Sequence, residues 1–93
     1  MHIANATVST IHASRYLQQL CKHWSHRFTG AFTPEAGSID FGEGKAVTLE
    51  ASATALEVRV STDGDPADLQ RVVAEHLQRF GFREQLVFTW RQG

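Results

Sequence analysis

The sequence predicts an α+β fold, a two-layer sandwich with two helices packed on one face of a mainly antiparallel sheet, in the order β-α-β-β-β-(β)-α-β. Three observations lead there. Residues 11–27 and 66–80 repeat their apolar positions at three- and four-residue steps, the period of a helix with one buried stripe. Residues 39–60 alternate apolar with polar side chains, the period of strands with one buried face. Short runs of strand character stand at both ends of the chain. With 93 residues there is material for one core, so residues 1–93 are read as a single domain.

The elements follow in order. Residues 3–10 are small and β-branched (Ile3, Ala4, Ala6, Thr7, Val8) and read as a strand. Thr10 is the expected cap of the first helix, which runs from Ile11 to about Arg27 with Tyr16, Leu17, Leu20, Cys21, Trp24 and Phe28 on its apolar stripe. Gly30 to Thr33 form a further short strand, and Pro34 with Gly37 marks a turn. Ile39 and Phe41, the tight loop Gly42-Glu43-Gly44, then Val47, Leu49 and Ala51 make a hairpin, and Leu56, Val58 and Val60 extend it into a meander. Asp65 before Pro66 starts the second helix, whose stripe is Leu69, Val72, Val73, His76, Leu77 and Phe80. Gly81 is expected to end it in a left-handed conformation, with Phe82 packing back on Leu77. Leu86, Phe88 and Trp90 alternate with Val87 and Thr89 and predict a last strand.

Composition narrows the function classes. No apolar run approaches the roughly eighteen residues that cross a bilayer, so no membrane role is expected. The first residues lack the basic and apolar regions of a secretory signal, and the single cysteine, Cys21, offers no disulfide framework; both favour a cytoplasmic protein. Charge is uneven. Residues 1–34 carry Arg15, Lys22 and Arg27, four of the five histidines and no carboxylate side chain, whereas residues 35–70 carry eight carboxylates against Lys45 and Arg59. The acidic middle would repel phosphate, so nucleic acid is not an expected partner.

Three stretches, His12-Ala-Ser-Arg-Tyr-Leu-Gln-Gln-Leu-Cys-Lys-His-Trp-Ser-His26, Ile39-Asp-Phe-Gly-Glu-Gly44 and Glu75-His-Leu-Gln-Arg-Phe-Gly-Phe-Arg-Glu84, resemble a bacterial domain family of unknown function. The likeness spans nearly the whole chain. That family occurs alone and appended to siderophore-interacting flavoproteins, which implies a role in iron acquisition. It brings no catalytic residues to carry over. Ile11 stands where relatives often have proline after the capping threonine.

Several constellations are candidates for chemistry. At about 100° per residue, His12, Arg15, Gln19, Lys22, His23 and His26 fall within one arc opposite Leu17, Leu20 and Trp24. This face is either a plain solvated surface or a ligand-binding surface for a carboxylate, phosphate or catecholate oxygen, to which Arg offers a planar fork of donors. His23 and His26, three residues apart, can point into one region, but two ligands do not complete a metal site and His12 lies roughly 16 Å along the helix. Cys21 shares the apolar stripe and reads as a small core residue. His76, in the middle of an apolar stripe, is either a hydrogen-bonded core histidine or a base or ligand facing a small pocket. Asp63, Asp65 and Asp68 lack the spacing of a calcium loop and suit a helix N-terminus.

No G-x-S-x-G, Walker loop, dinucleotide fingerprint or H-E-x-x-H is present. No catalytic residue, cofactor or metal is assigned. The expectation is a non-enzymatic binding or accessory module linked to iron and siderophore handling, with an anionic small molecule or a siderophore-interacting protein as partner. The alternative is a His-based metal-binding protein or small enzyme using His23, His26 and His76. A third class is a structural domain that forms a homodimer through a sheet edge or its wet face.

Overall fold

A computed structural model describes residues 2–92. Strands β1 (His2–Ser9), β2 (Thr29–Phe32), β3 (Ala36–Gly42), β4 (Lys45–Ala51), β5 (Ala55–Thr62) and β6 (Arg91–Gln92) form one sheet in the order β2-β3-β4-β5-β1-β6, with every pairing antiparallel. Helices α1 (Ala13–Ser25) and α2 (Ala67–Phe80) contribute to a single core on the sheet, so the two-layer α+β architecture is confirmed.

Register explains the core. Ala6 faces Val58, Val58 faces Leu49 and Leu49 faces Gly37 across four adjacent strands; Ala4, Val60, Val47 and Ile39 form a parallel row. All of these except Gly37 are buried, and α1 lays Tyr16, Leu17, Leu20, Cys21 and Trp24 over them. The intervening residues face the other way and link the strands through polar side chains. Thr7 donates to Glu57 at 2.6 Å and Arg59 donates to Asn5 at 3.0 Å. The β3–β4 turn holds Gly42, Glu43 and Gly44 at φ of 79°, 56° and 76°, a left-handed run that two glycines make inexpensive.

Both helices begin later than their sequence signals, with His12 rather than Thr10 at the N-cap of α1 and Pro66 rather than Asp65 at that of α2, and neither N-cap residue makes a side-chain cap; the signalled residues act one step earlier. Thr10 Oγ1 accepts the His12 N–H at 3.0 Å, closing the turn that leads into α1. Asp65 Oδ1 accepts the Ala67 N–H at 2.9 Å across Pro66, whose φ of −74° is already helical.

Two expectations for the C-terminal part fail. Gly81 is not left-handed (φ −98°, ψ 42°), and Phe82 is 75 % exposed rather than packed on Leu77. Gln78 closes this end of the helix with its side chain: Nε2 donates to the carbonyls of Gly81 and Glu84 at 3.1 and 2.8 Å, and Leu86, not Phe82, turns into the core. The last strand is also shorter than its alternation suggests. Residues 85–90 pair with no strand, and only Arg91–Gln92 meet Ala4–Asn5. The Leu86 N–H is bound by Gln78 Oε1 at 2.9 Å, so the segment is fastened to α2 before it reaches the sheet. Its alternation instead buries Leu86 and lays Phe88 and Trp90, stacked 6.2 Å apart, partly against the core.

Candidate functional site

The polar face of α1 takes its position from the burial of the opposite stripe. Arg15, Gln19, Lys22, His23 and His26 are exposed, and His12 is half-buried at the helix start. The six do not converge on one point. His12 turns an edge toward Tyr16 (6.1 Å between ring centres), while His23 leans to α2, with His76 at 5.2 Å and Phe80 at 6.1 Å. His26 follows the last helical residue. Among the described residues, no salt bridge within 4.0 Å involves Arg15 or Lys22; the ion pairs join Arg71 to Asp68 and Glu75, and Arg91 to Glu57.

Arg15 and Gln19 border a cleft of about 280 Å³ between α1 and the end of α2, shared with Tyr16, Phe80, Gly81, Phe82 and Arg83. Gly81 is required there: a Cβ at this position would lie 2.9 Å from Tyr16 Cζ. Two guanidinium groups and aromatic rings border it, with Arg15 and Arg83 over Tyr16 and Phe82 at 5.5 Å, a lining that suits a ligand anionic at one end and planar elsewhere.

At the N-terminal end of this face lies a polar centre that the sequence reading missed. The Tyr16 hydroxyl donates to Glu84, and Thr10 Oγ1 stands 3.0 Å from both oxygens of the same carboxylate. Burial, reinforced by the Glu84 contact, raises the Tyr16 pKa above that of a free phenol. The Tyr16 hydrogen bond, aided by Thr10, His12 and Arg15, lowers the Glu84 pKa despite its partial desolvation. A carboxylate thus stands beside the cationic face, although α1 itself contains none. The available signal was Tyr16 itself: a phenol on a buried stripe must find a partner for its hydroxyl.

His76 occupies a second cluster. It is half-buried, its Nδ1–H donates to the Val72 carbonyl at 2.7 Å, and its ring lies 5.0 Å from that of Trp24. That carbonyl can only accept, so Nε2 is the nitrogen with a free lone pair. Beyond Trp24, Phe28, Phe41, Leu69 and Val72 line an apolar cleft of about 350 Å³ against the β3–β4 hairpin. Among the described residues, no group of three or more His, Cys, Asp or Glu side chains is placed to hold a metal ion. Cys21 is buried and its thiol is pushed up to about 11 by desolvation, which suits a core residue rather than a nucleophile. Asp65 accepts the Ala67 N–H just before α2, and Asp68 pairs with Arg71 at 3.4 Å.

The protein shown in the NMR structure of PA4090 from Pseudomonas aeruginosa is 38 % identical and superposes with a TM-score of 0.80, covering 98 % of this chain and 96 % of that one. No curated protein matches the chain. Residues 5–91 match the family described as "Uncharacterized protein conserved in bacteria (DUF2218)", and the chain therefore belongs to that bacterial family.

Proposed function

We propose that this domain is a cytoplasmic, non-enzymatic binding module that takes an anionic small molecule on the outer face of α1, as an accessory to iron and siderophore handling. One observation carries the reading: Arg15, Gln19 and Lys22 are all exposed, without a salt-bridge partner for either cation among the described residues, and Arg15 reaches a cleft that also contains Arg83, Phe80 and Phe82. Unpaired guanidinium groups beside aromatic rings bind carboxylate or catecholate oxygens without first breaking an internal ion pair. Glu84, whose pKa Arg15 helps to lower, offsets part of the charge on the Tyr16 side of the cleft, while Arg83 and Lys22 have no salt bridge among the described residues. The resemblance to domains appended to siderophore-interacting flavoproteins supplies the ligand class, a carboxylate or catecholate siderophore, and names such a flavoprotein as the partner.

The test is a calorimetric titration of the domain with ferric and iron-free siderophores. Binding should weaken at least tenfold when Arg15 and Lys22 are both replaced by Gln, the equivalent of about 1.4 kcal/mol. Unchanged affinity in that variant ends the proposal.

A further inference from the structure

We propose that His23 and His76 form a site for one borderline divalent transition-metal ion, of the Zn²⁺ or Cu²⁺ kind, held between the two helices with its remaining coordination positions open. This goes beyond the anion-binding reading and does not depend on it.

The distance between the rings is the first argument. Their centres are 5.2 Å apart. An ion bound to two imidazole nitrogens at about 2.0–2.1 Å sits roughly 3.2 Å from each ring centre, and a tetrahedral angle then sets the centres about 5.2 Å apart. That separation matches two imidazoles on one tetrahedral ion, the exposed His23 ring turning a nitrogen toward it. The orientation of His76 is the second argument. Its Nδ1–H is committed to the Val72 carbonyl at 2.7 Å, which fixes the tautomer and leaves Nε2 as the donor to a metal. A backbone carbonyl holding the far nitrogen is the usual way a metal-binding imidazole is oriented.

The surroundings set the class of ion. Trp24 and Phe80 pack beside the histidines, at 5.0 Å from His76 and 6.1 Å from His23, and offer no competing ligand. Neutral imidazole donors select borderline ions over hard ones such as Mg²⁺. With two protein ligands the ion retains open positions, as in sites that accept an exogenous oxygen or nitrogen ligand, and unlike closed structural zinc centres. His26 shares the helix with His23 but brings no ligand from α2, so the pair spaced by three residues is not the site.

The experiment is calorimetric titration of the full chain, free of any affinity tag and stripped with chelator, using ZnCl₂ with MgCl₂ as control. One Zn²⁺ per chain and no response to Mg²⁺ are expected. His23→Gln and His76→Gln should each weaken binding at least about tenfold, the least that loss of even an outer-shell partner costs. His26→Gln should leave it unchanged. His23 is exposed, so its variant folds and decides the matter if His76→Gln proves unstable. Zn²⁺ should also raise the melting temperature of the wild type and not that of His23→Gln. Absence of stoichiometric binding would make the pair a packing contact only, and loss of binding in His26→Gln with His76→Gln intact would put the ion on α1 alone. Either result overturns the proposal.

Discussion

The hydroxyl of Tyr16 donates its hydrogen bond to Glu84, 68 residues further along the chain, and so fastens the segment after α2 to the first helix. Tyr16 is fully buried while Glu84 is half-buried, which makes this a charge-assisted bond at the edge of the core. Replacing Tyr16 by Phe should cost about 1.5–3 kcal/mol, the range for a hydrogen bond to a charged group, measured by urea unfolding at neutral pH.

The same bond gives the stability a pH dependence of known sign. Glu84 has a lowered pKa in the folded state, so its contribution is present above the ordinary glutamate pKa and is lost as pH falls through the folded value. Tyr16, raised by burial, contributes below the ordinary phenol pKa and loses that contribution as pH rises past it. Tyr16→Phe should flatten both limbs of a melting-temperature profile against pH. A profile parallel to that of the wild type at both ends would refute the assignment.

Gln78 should matter more than an ordinary helix glutamine. Its side chain makes three hydrogen bonds, to the carbonyls of Gly81 and Glu84 and to the Leu86 N–H. Gln78→Ala should lower stability by about 1–3 kcal/mol, since it leaves backbone groups unpaired near the core. Amide exchange should rise from Phe82 to Trp90 before it rises in the β3–β4–β5 meander. Uniform acceleration over the whole chain would contradict this.

Cys21 and Gly37 test the packing of α1 on the sheet. A Cβ on Gly37 would lie 2.6 Å from Cys21 Sγ, so Gly37→Ala forces α1 away and should cost about 1–3 kcal/mol by overpacking. The Cys21 thiol, buried and raised to about 11, should react with a disulfide reagent only at the rate at which the domain opens. Gly37→Ala should speed that reaction.

Much of the fold was legible because burial imposes period on sequence. The stripe of Leu17, Leu20 and Trp24 and the alternation of Val47, Leu49, Leu56 and Val58 each satisfy one element facing one core. The C-terminal segment was misread for a related reason. Leu86, Phe88 and Trp90 alternate because one side faces the core, yet alternation carries no information about where backbone hydrogen bonds go, and Gln78 had taken that of Leu86. The position of β1 between β5 and β6 is likewise a matter of pairing over long separation.

The candidate site was legible only in part. The helical period correctly put Arg15, Gln19 and Lys22 outside, because a single helix determines that. Glu84 beside Thr10 and Tyr16, and His76 beside His23, depend on how α2 and its following loop cross α1, a relation that spacing within either helix does not encode.

The place of β1 in the sheet has a consequence for how the polypeptide acquires its shape. Its partners are residues 55–62 and 91–92, so β1 has nothing to pair with until the chain through β5 has been made. The β2–β5 meander, built from neighbouring segments, is the natural nucleus, with closure of the long loop from β1 setting the refolding rate. An amino-terminal truncation into β1 would then remove an interior strand rather than a trim, and leave β6 stranded.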